Sequence, residues 1–364
     1  MQIEIRLRKL LADHNLARYG VIQEIADDLG LHRHTVRKLY NNQHRNPSLK
    51  VLGQLCDWLL KHKVPAKHLP GELFGAEASG LWHAAAELGT VTTYLGEYQQ
   101  ASPQGYIGWI SRRDAKVVSG IVECLSTRGV YDKESPLKFA TDYVPFRVDL
   151  TAERIRRKEL EEDHAAALRK YRELRTVMNY SSAILVGSQR VNRLVETFVA
   201  DTFGCDPFVA ESRQIHVPFY LAYQSPLRAV ESCFGGLRNP PGEKGKFVKG
   251  MHYLNSAGDW VSVPWIEGKQ DSGIVITFSE PGTKRMLLAV FGLTGRASEA
   301  LGGYLTQNDK PFWPPYALKR ERKIGVYVCK ITYPPKTTGE PGVAKDVEVT
   351  PIDAKILTEY MKAA

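Results

Sequence analysis

Apolar residues Ile3, Leu7, Leu10 and Leu11 recur at helical spacing with Glu4, Arg6, Arg8, Lys9 and Asp13 between them. The pattern predicts a surface helix over residues 3–12 with one buried stripe. A second periodic run, Val21 to Leu29, buries Ile22, Ile25, Ala26 and Leu29 and stops at Gly30, a residue that takes a left-handed helix terminus without strain. Leu31 re-enters the core, and His32 to Tyr40 predicts a short helix whose apolar positions are Val36, Leu39 and Tyr40 and whose other faces are basic. After the polar stretch 41–46 come Pro47 and Ser48. Ser48 is placed to cap a further helix with a stripe of Leu49, Leu52, Leu55, Cys56 and Leu59.

Beyond residue 62 the pattern changes. Pro65, Pro70, Gly71, Gly75 and Gly80 punctuate residues 63–90 and mark a connection, which gives a first domain of residues 1–68, a linker of 69–90 and a larger domain of 91–364. Strands are predicted at Val91–Tyr98, Gly105–Ile110 and Phe139–Val148, with a helix between the last two from Ser111 to Leu125. Residues 152–178 predict a long charged helix with Leu160, His164, Ala167, Leu168, Tyr171 and Leu174 on one seam. Such a seam suits either dimerisation or packing on its own domain, and the larger domain could divide near 151–180. Lys323–Tyr333 reads as a strand, FWPP at 312–315 as an aromatic-anchored loop, and a last helix follows Pro351.

Two segments share one logic. Ala183–Val186 reads as a buried strand leading through GSQRVN into a helix from about Arg190, and Met286–Phe291 as a strand leading through GLTGRAS into a helix from Ser298. Strand, Gly-containing turn and helix is how open α/β sheets build pockets, and backbone N–H groups at each helix start favour an anion beside Arg190 or Arg296. The candidate ligand residues are Gly187, Ser188, Gln189, Arg190 and Asn192 at the first turn, and Gly292, Thr294, Gly295, Arg296 and Ser298 at the second. Neither turn carries a three-glycine dinucleotide fingerprint or a phosphate-loop Gly-Lys-Ser/Thr, so the ligand expected is an anionic or nucleotide-like effector of unspecified identity.

Charge sharpens this picture. The chain of 364 residues carries a formal net charge of +9, and residues 1–68 hold twelve Lys and Arg against six Asp and Glu, that is +6 in under a fifth of its length. A basic end suggests a polyanionic partner. The five cysteines have no paired short spacing, so neither a zinc site nor a redox pair is expected, and no cofactor is implied. His32 and His34, one residue apart on a helix, face different ways and do not share a metal. No apolar run reaches the ~18 residues of a membrane span, and a cytoplasmic location is expected.

The run EIADDLGLHRHTVRKLYNNQHRNPSLKVLGQLCDWL resembles the Cro and phage-repressor (XRE) helix-turn-helix family. Ala26, Gly30 and Val36 stand at the family's Ala, Gly and β-branched positions, and Pro47, Ser48 and Leu49 at its Pro-Ser-Leu helix start. The resemblance spans about residues 3–62. It implies double-stranded DNA as partner, a homodimer on palindromic sites, and a second motif helix lying in the major groove. By position Arg33, His34 and Lys38 become base readers, while His32, Arg37 and Gln43 suit phosphates. Val21 and Ile22 stand where many members carry a Thr-Gln pair, which leaves contacts from that helix unassigned.

The expected fold class is α+α/β: an all-α helix-turn-helix domain followed by a larger α/β, Rossmann-like domain. Two functions fit it. One is a transcriptional regulator, a repressor, whose larger domain senses a signal and dimerises. The alternative is a nucleotide-directed enzyme or defence effector that the first domain localises or autoregulates. No Ser-His-Asp set, zinc spacing or kinase-type loop favours enzyme chemistry. Glu97 and Asp114, each following a predicted strand, are the carboxylates that could act on a bound ligand.

Overall fold

The computed structural model describes residues 3–5, 7–41, 43, 47–64, 74–76, 80–86, 88–128, 137–147, 157–177, 181–209, 217–224, 231–240, 245–280, 283, 285–319, 322–335 and 343–362. The chain divides into two compact units, Met1–Ser79 and Gly80–Ala364.

The first unit opens with strand β1 (Ile3–Ile5) and helices α1 (Leu7–Asp13), α2 (Val21–Leu29), α3 (Arg33–Tyr40) and α4 (Leu49–Lys61), followed by β2 (Phe74–Ala76). Its core joins Leu7, Leu10 and Leu11 to Val21, Ile25, Ala26, Val36, Leu39, Leu55, Trp58 and Leu59. Residues 3–5 are not the start of a helix. They pair antiparallel with Phe74–Ala76, a partner some seventy residues away that helical spacing in the first dozen residues does not reveal. Gly30 ends α2 at φ 61° and ψ 31°, donating to Ala26 and Asp27 carbonyls, while the Leu31 N–H returns to Ala26 O at 2.9 Å. This left-handed cap turns the chain from α2 into α3 without a Cβ penalty.

The second unit adds α5 (Leu81–Ala86), β3 (Thr90–Ser102), β4 (Gly105–Ile110), α6 (Arg112–Arg128), β5 (Lys138–Arg147), α7 (Arg157–Val177), β6 (Ser181–Val186) and α8 (Arg193–Phe203). Then follow β7 (Phe219–Ala222), β8 (Gly235–Gly236), β9 (Gly250–Leu254), β10 (Trp260–Pro264), β11 (Gln270–Glu280), β12 (Arg285–Gly292) and α9 (Gly295–Gln307). The last elements are β13 (Ala317–Lys319), β14 (Arg322–Thr332), β15 (Asp346–Pro351) and α10 (Ala354–Lys362). The architecture is mixed α and β.

One nine-stranded sheet runs β13-β14-β11-β12-β6-β3-β4, with β15 on β14 and β5 on β3, and a four-stranded sheet runs β10-β9-β7-β8. Strands β5, β3, β6 and β12 are mutually parallel, and β4, β11 and β14 run against their neighbours. Helices cover both faces. Ile184, Val186, Leu288 and Val290 pack with Val117 and Ile121 of α6 and Leu301 and Leu305 of α9. Ala183, Leu185, Leu287 and Ala289 pack with Tyr171 of α7, Leu194 and Phe198 of α8, and Phe219 and Met251 of the smaller sheet. Burial on both faces is why β6 and β12 read as continuous apolar runs.

Helix α5 lies within the segment whose glycines and prolines suggest a linker. Leu81, Trp82 and Ala85 are buried, and the Trp82 indole donates to Leu305 O at 2.9 Å. Six residues are too few to display a helical period. The seam of α7 packs within its own unit: Tyr171 donates to Asp201 of α8 at 2.9 Å, and the His164 ring stacks on Phe208 at 3.8 Å.

Candidate functional site

In the first unit, α3 buries Val36 and Leu39 completely and leaves Arg33, His34, Arg37 and Lys38 exposed on its outer face. Residues three and four apart share a helix face, so Arg33, Arg37 and Lys38 form one basic surface that includes the His34 ring. His32 is the N-cap, its Nδ1 accepting from the His34 N–H at 3.2 Å, and Gln43 lies exposed beyond the C-terminus, its N–H bonded to Lys38 O. Helix α4 fixes the frame: Ser48 Oγ accepts from the Val51 N–H at 3.3 Å, and the Trp58 indole donates to Asp28 Oδ2 of α2 at 2.8 Å. Trp58 is absent from the stripe read in the sequence, although it sits three positions after Leu55.

Glu24, Asp28 and His62 bring three metal-capable atoms within 4.8 Å of one another. All three are engaged elsewhere: Arg18 bonds both Glu24 oxygens, Trp58 bonds Asp28, and His62 Nδ1 faces Trp58 O.

In the second unit, the two Gly-containing turns lie side by side. Val186 at the end of β6 is in register with Val290 of β12, and the Gly187 N–H donates to Val290 O at 3.1 Å. Helix α8 leaves β6 toward one face of the sheet, and α9 leaves β12 toward the other. Adjacent parallel strands whose helices diverge open a crevice at their carboxyl ends.

The side chains at these turns divide by task. Asn192 is fully buried, with Oδ1 accepting from Leu194 N and Nδ2 donating to Tyr94 O at 2.9 Å and Val186 O at 3.0 Å. It ties β3, β6 and α8 together. Ser298 accepts from Gly292 N at 2.9 Å, and Thr294 caps α9 while donating to Asp271. Gly292 has no room for a side chain, since a Cβ there would lie 2.4 Å from that of Ala297. A Cβ on Gly295 would meet Arg113 Cδ at 3.3 Å, and the Ser188 carbonyl accepts from Val191 and Asn192.

Gln189, Arg190 and Arg296 are different. The Arg190 guanidinium lies 4.7 Å over the Tyr223 ring, and that of Arg296 lies 3.6 Å over Tyr333. Gln189 donates to the Tyr223 hydroxyl at 2.8 Å while its buried Oε1 has no partner, and Arg296 Nε is likewise buried and unpaired. Arg193, at the first position of α8, was not among the sequence candidates. It is fully buried, and burial lowers its pKa to about 10, so it stays charged at neutral pH. A helix-start arginine reads as surface in a sequence, and no periodicity signals its burial.

Glu97 lies inside β3, where Gln99 donates to it. Asp114, in the first turn of α6, has Oδ2 3.5 Å from where a Gly187 Cβ would sit, and burial raises its pKa to about 6 against a weaker lowering by Arg113. The folded pKa exceeds the unfolded value, so the native state holds its proton longer and stability falls as pH rises from about 4 to 6. We expect Asp114→Asn to be more stable than wild type above pH 6 by ~2 kcal/mol, with the difference vanishing near pH 4. Denaturant titrations at pH 4 and pH 7 check this, and a pH-independent difference would refute it.

The basic outer helix on a glycine-turned helical pair defines a helix-turn-helix DNA-binding domain. Residues 6–59 match the family model of the Cro/C1-type HTH DNA-binding domain. The rest of the chain lies outside the match. Comparison with curated proteins and with solved structures found no match.

Proposed function

We propose that the protein is a sequence-specific DNA-binding transcriptional regulator, acting as a dimeric repressor, whose larger unit binds a small anionic effector. The observation that carries the DNA reading is α3, which buries its two apolar residues and presents Arg33, His34, Arg37 and Lys38 outward. Arg33, His34 and Lys38 read base edges in the major groove; His32, Arg37 and Gln43 hold phosphates. One such domain reads a half-site, so two copies bind a palindrome.

The effector reading is supported by the topology, in which α8 and α9 diverge from the carboxyl ends of the adjacent parallel strands β6 and β12. The parallel set β5, β3, β6 and β12, with helices on both faces of β6 and β12, supports describing the unit as Rossmann-like, while its antiparallel strands depart from that pattern. An effector acts only through different affinities for two states, so DNA binding must change when it is present.

Selection of bound duplexes from random DNA with the full chain tests the first part; an enriched palindrome is expected, and no enrichment would refute sequence reading. On the enriched site, Arg33→Ala should weaken specific binding by ~1–3 kcal/mol while hardly changing random-DNA binding. Arg37→Ala should weaken both about equally.

Asp114 favours a second reading. A carboxyl with a raised pKa beside the Gly187 turn suits proton transfer, so the same crevice could turn over a nucleotide. Incubation with nucleoside mono- and triphosphates separates the two: a sensor leaves its ligand intact, and turnover abolished by Asp114→Asn identifies an enzyme.

A further inference from the structure

Arg193 leaves two donors of its guanidinium without hydrogen bonds, although the Glu196 and Asp163 carboxylates favour its charged form. Its Nη1 donates to the Gln189 carbonyl at 3.1 Å, which folds the side chain back over the turn at the start of α8, and the Phe146 ring lies 5.2 Å from its guanidinium carbon. Nε and Nη2 have no hydrogen-bond partner, although the residue is completely buried. These two donors form the side-on edge of a guanidinium, the edge that takes two oxygens of one carboxylate or phosphate.

The two carboxylates that favour the Arg193 charge, Glu196 and Asp163, make their hydrogen bonds to other groups. Asp163 accepts from the Arg147 N–H at 2.8 Å and from Arg147 Nη1 at 3.2 Å. Glu196 accepts from Ser232 Oγ at 2.6 Å and from the N–H groups of Cys233 and Phe208. Arg147 Nε and Gln189 Oε1 are also buried and unpaired. Ser188, Arg190 and Val191 of the same turn are partly exposed. A fully buried guanidinium with two idle donors is costly, and each idle donor forfeits a charge-assisted bond.

We infer that the Nε–Nη2 edge of Arg193 anchors an oxyanion, the phosphate monoester or carboxylate group of a ligand that also donates a hydrogen bond to Gln189 Oε1. Arg193 stands at the start of α8 with the Arg190 charge nearby, and a helix N-terminus and a second cation both favour an anion. The inference rests on the effector reading above and names the group that the effector would present.

The test uses the full chain and three probes, inorganic phosphate, adenosine monophosphate and succinate, against chloride at matched ionic strength. Thermal unfolding and calorimetric titration should show a saturable rise in Tm with at least one. Response to the phosphates alone identifies a phosphorylated ligand; response to succinate alone identifies a carboxylate. Arg193→Met removes the two unbonded buried donors and should abolish the response. Arg193→Lys keeps the charge but loses the two-donor edge, and should weaken binding at least tenfold even if the Met variant fails to fold. No saturable shift with any probe, or one unchanged in Arg193→Lys, would overturn the inference. Binding of the enriched DNA site with and without the active probe tells the two proposals apart: unchanged DNA affinity despite a bound anion removes sensing and leaves the oxyanion site standing.

Discussion

Asn192→Ala lowers the stability of the larger unit by about 3 kcal/mol and leaves the affinity of the full chain for DNA unchanged. The amide makes three hydrogen bonds with no exposure, and each buried bond contributes ~1 kcal/mol net, with more lost when the partner is left unpaired. Tyr94 O and Val186 O would lose donors, and Leu194 N at the start of α8 would lose its cap. Asn192→Asp separates geometry from charge: it keeps the cap on Leu194 but turns two donors into an acceptor facing two carbonyls, so it should be at least as damaging as alanine. Guanidinium titration followed by tryptophan fluorescence measures both, since five of the six tryptophans belong to this unit. A loss below about 1 kcal/mol for both variants would show that the amide is not the pin its bonds describe.

Asn192 also shows where sequence reading reaches its limit. The strand–turn–helix pattern located both turns, and the fold places them on adjacent parallel strands in register. The pattern does not say which turn residue faces a ligand and which holds the backbone. Asparagine at a turn caps a helix or contacts a ligand with the same amide, and only its neighbours decide. For Asn192 they are strands β3 and β6, and Tyr94 lies 98 residues away in the chain. Arg193 illustrates the converse, because its isolation depends on Phe146 of β5 and on carboxylates of α7 and α8 that are already spoken for.

The first unit was more legible for a physical reason. Its core is made by residues near one another in sequence, so local periodicity carries most of the information: Ile25, Ala26, Val36, Leu39, Leu55 and Leu59 are all buried. Its two misread elements, β1 and β2, are the pair that meet across some seventy residues. Between residues 217 and 280 the chain forms β7 to β11, none of which was predicted; β7, β9 and β11 are buried almost continuously, so they show little alternation.

Glu196→Ala has the other large expected effect, a loss of roughly 3–5 kcal/mol, and it distinguishes a buried charge from the bonds around it. The carboxylate accepts from Ser232 Oγ and from the backbone N–H groups of Cys233 and Phe208, so alanine leaves three buried donors idle. Burial nonetheless raises its pKa above the usual value, the desolvation outweighing those bonds. The native state therefore holds the Glu196 proton more tightly than the unfolded chain, and its contribution to stability declines as pH rises through the raised pKa. Glu196→Gln keeps the shape and one acceptor, needs no ionised form, and lets the Ser232 hydroxyl rotate to accept from the new amide. It should cost about 1 kcal/mol or less at neutral pH, and it should flatten the decline. If Gln proves as damaging as Ala, the negative charge itself is required, and its counterpart is the guanidinium of Arg193, whose charged form Glu196 favours. The double variant Glu196→Gln with Arg193→Met then decides: recovery of stability means that the two charges answer each other, whereas additive losses mean that each serves a separate partner.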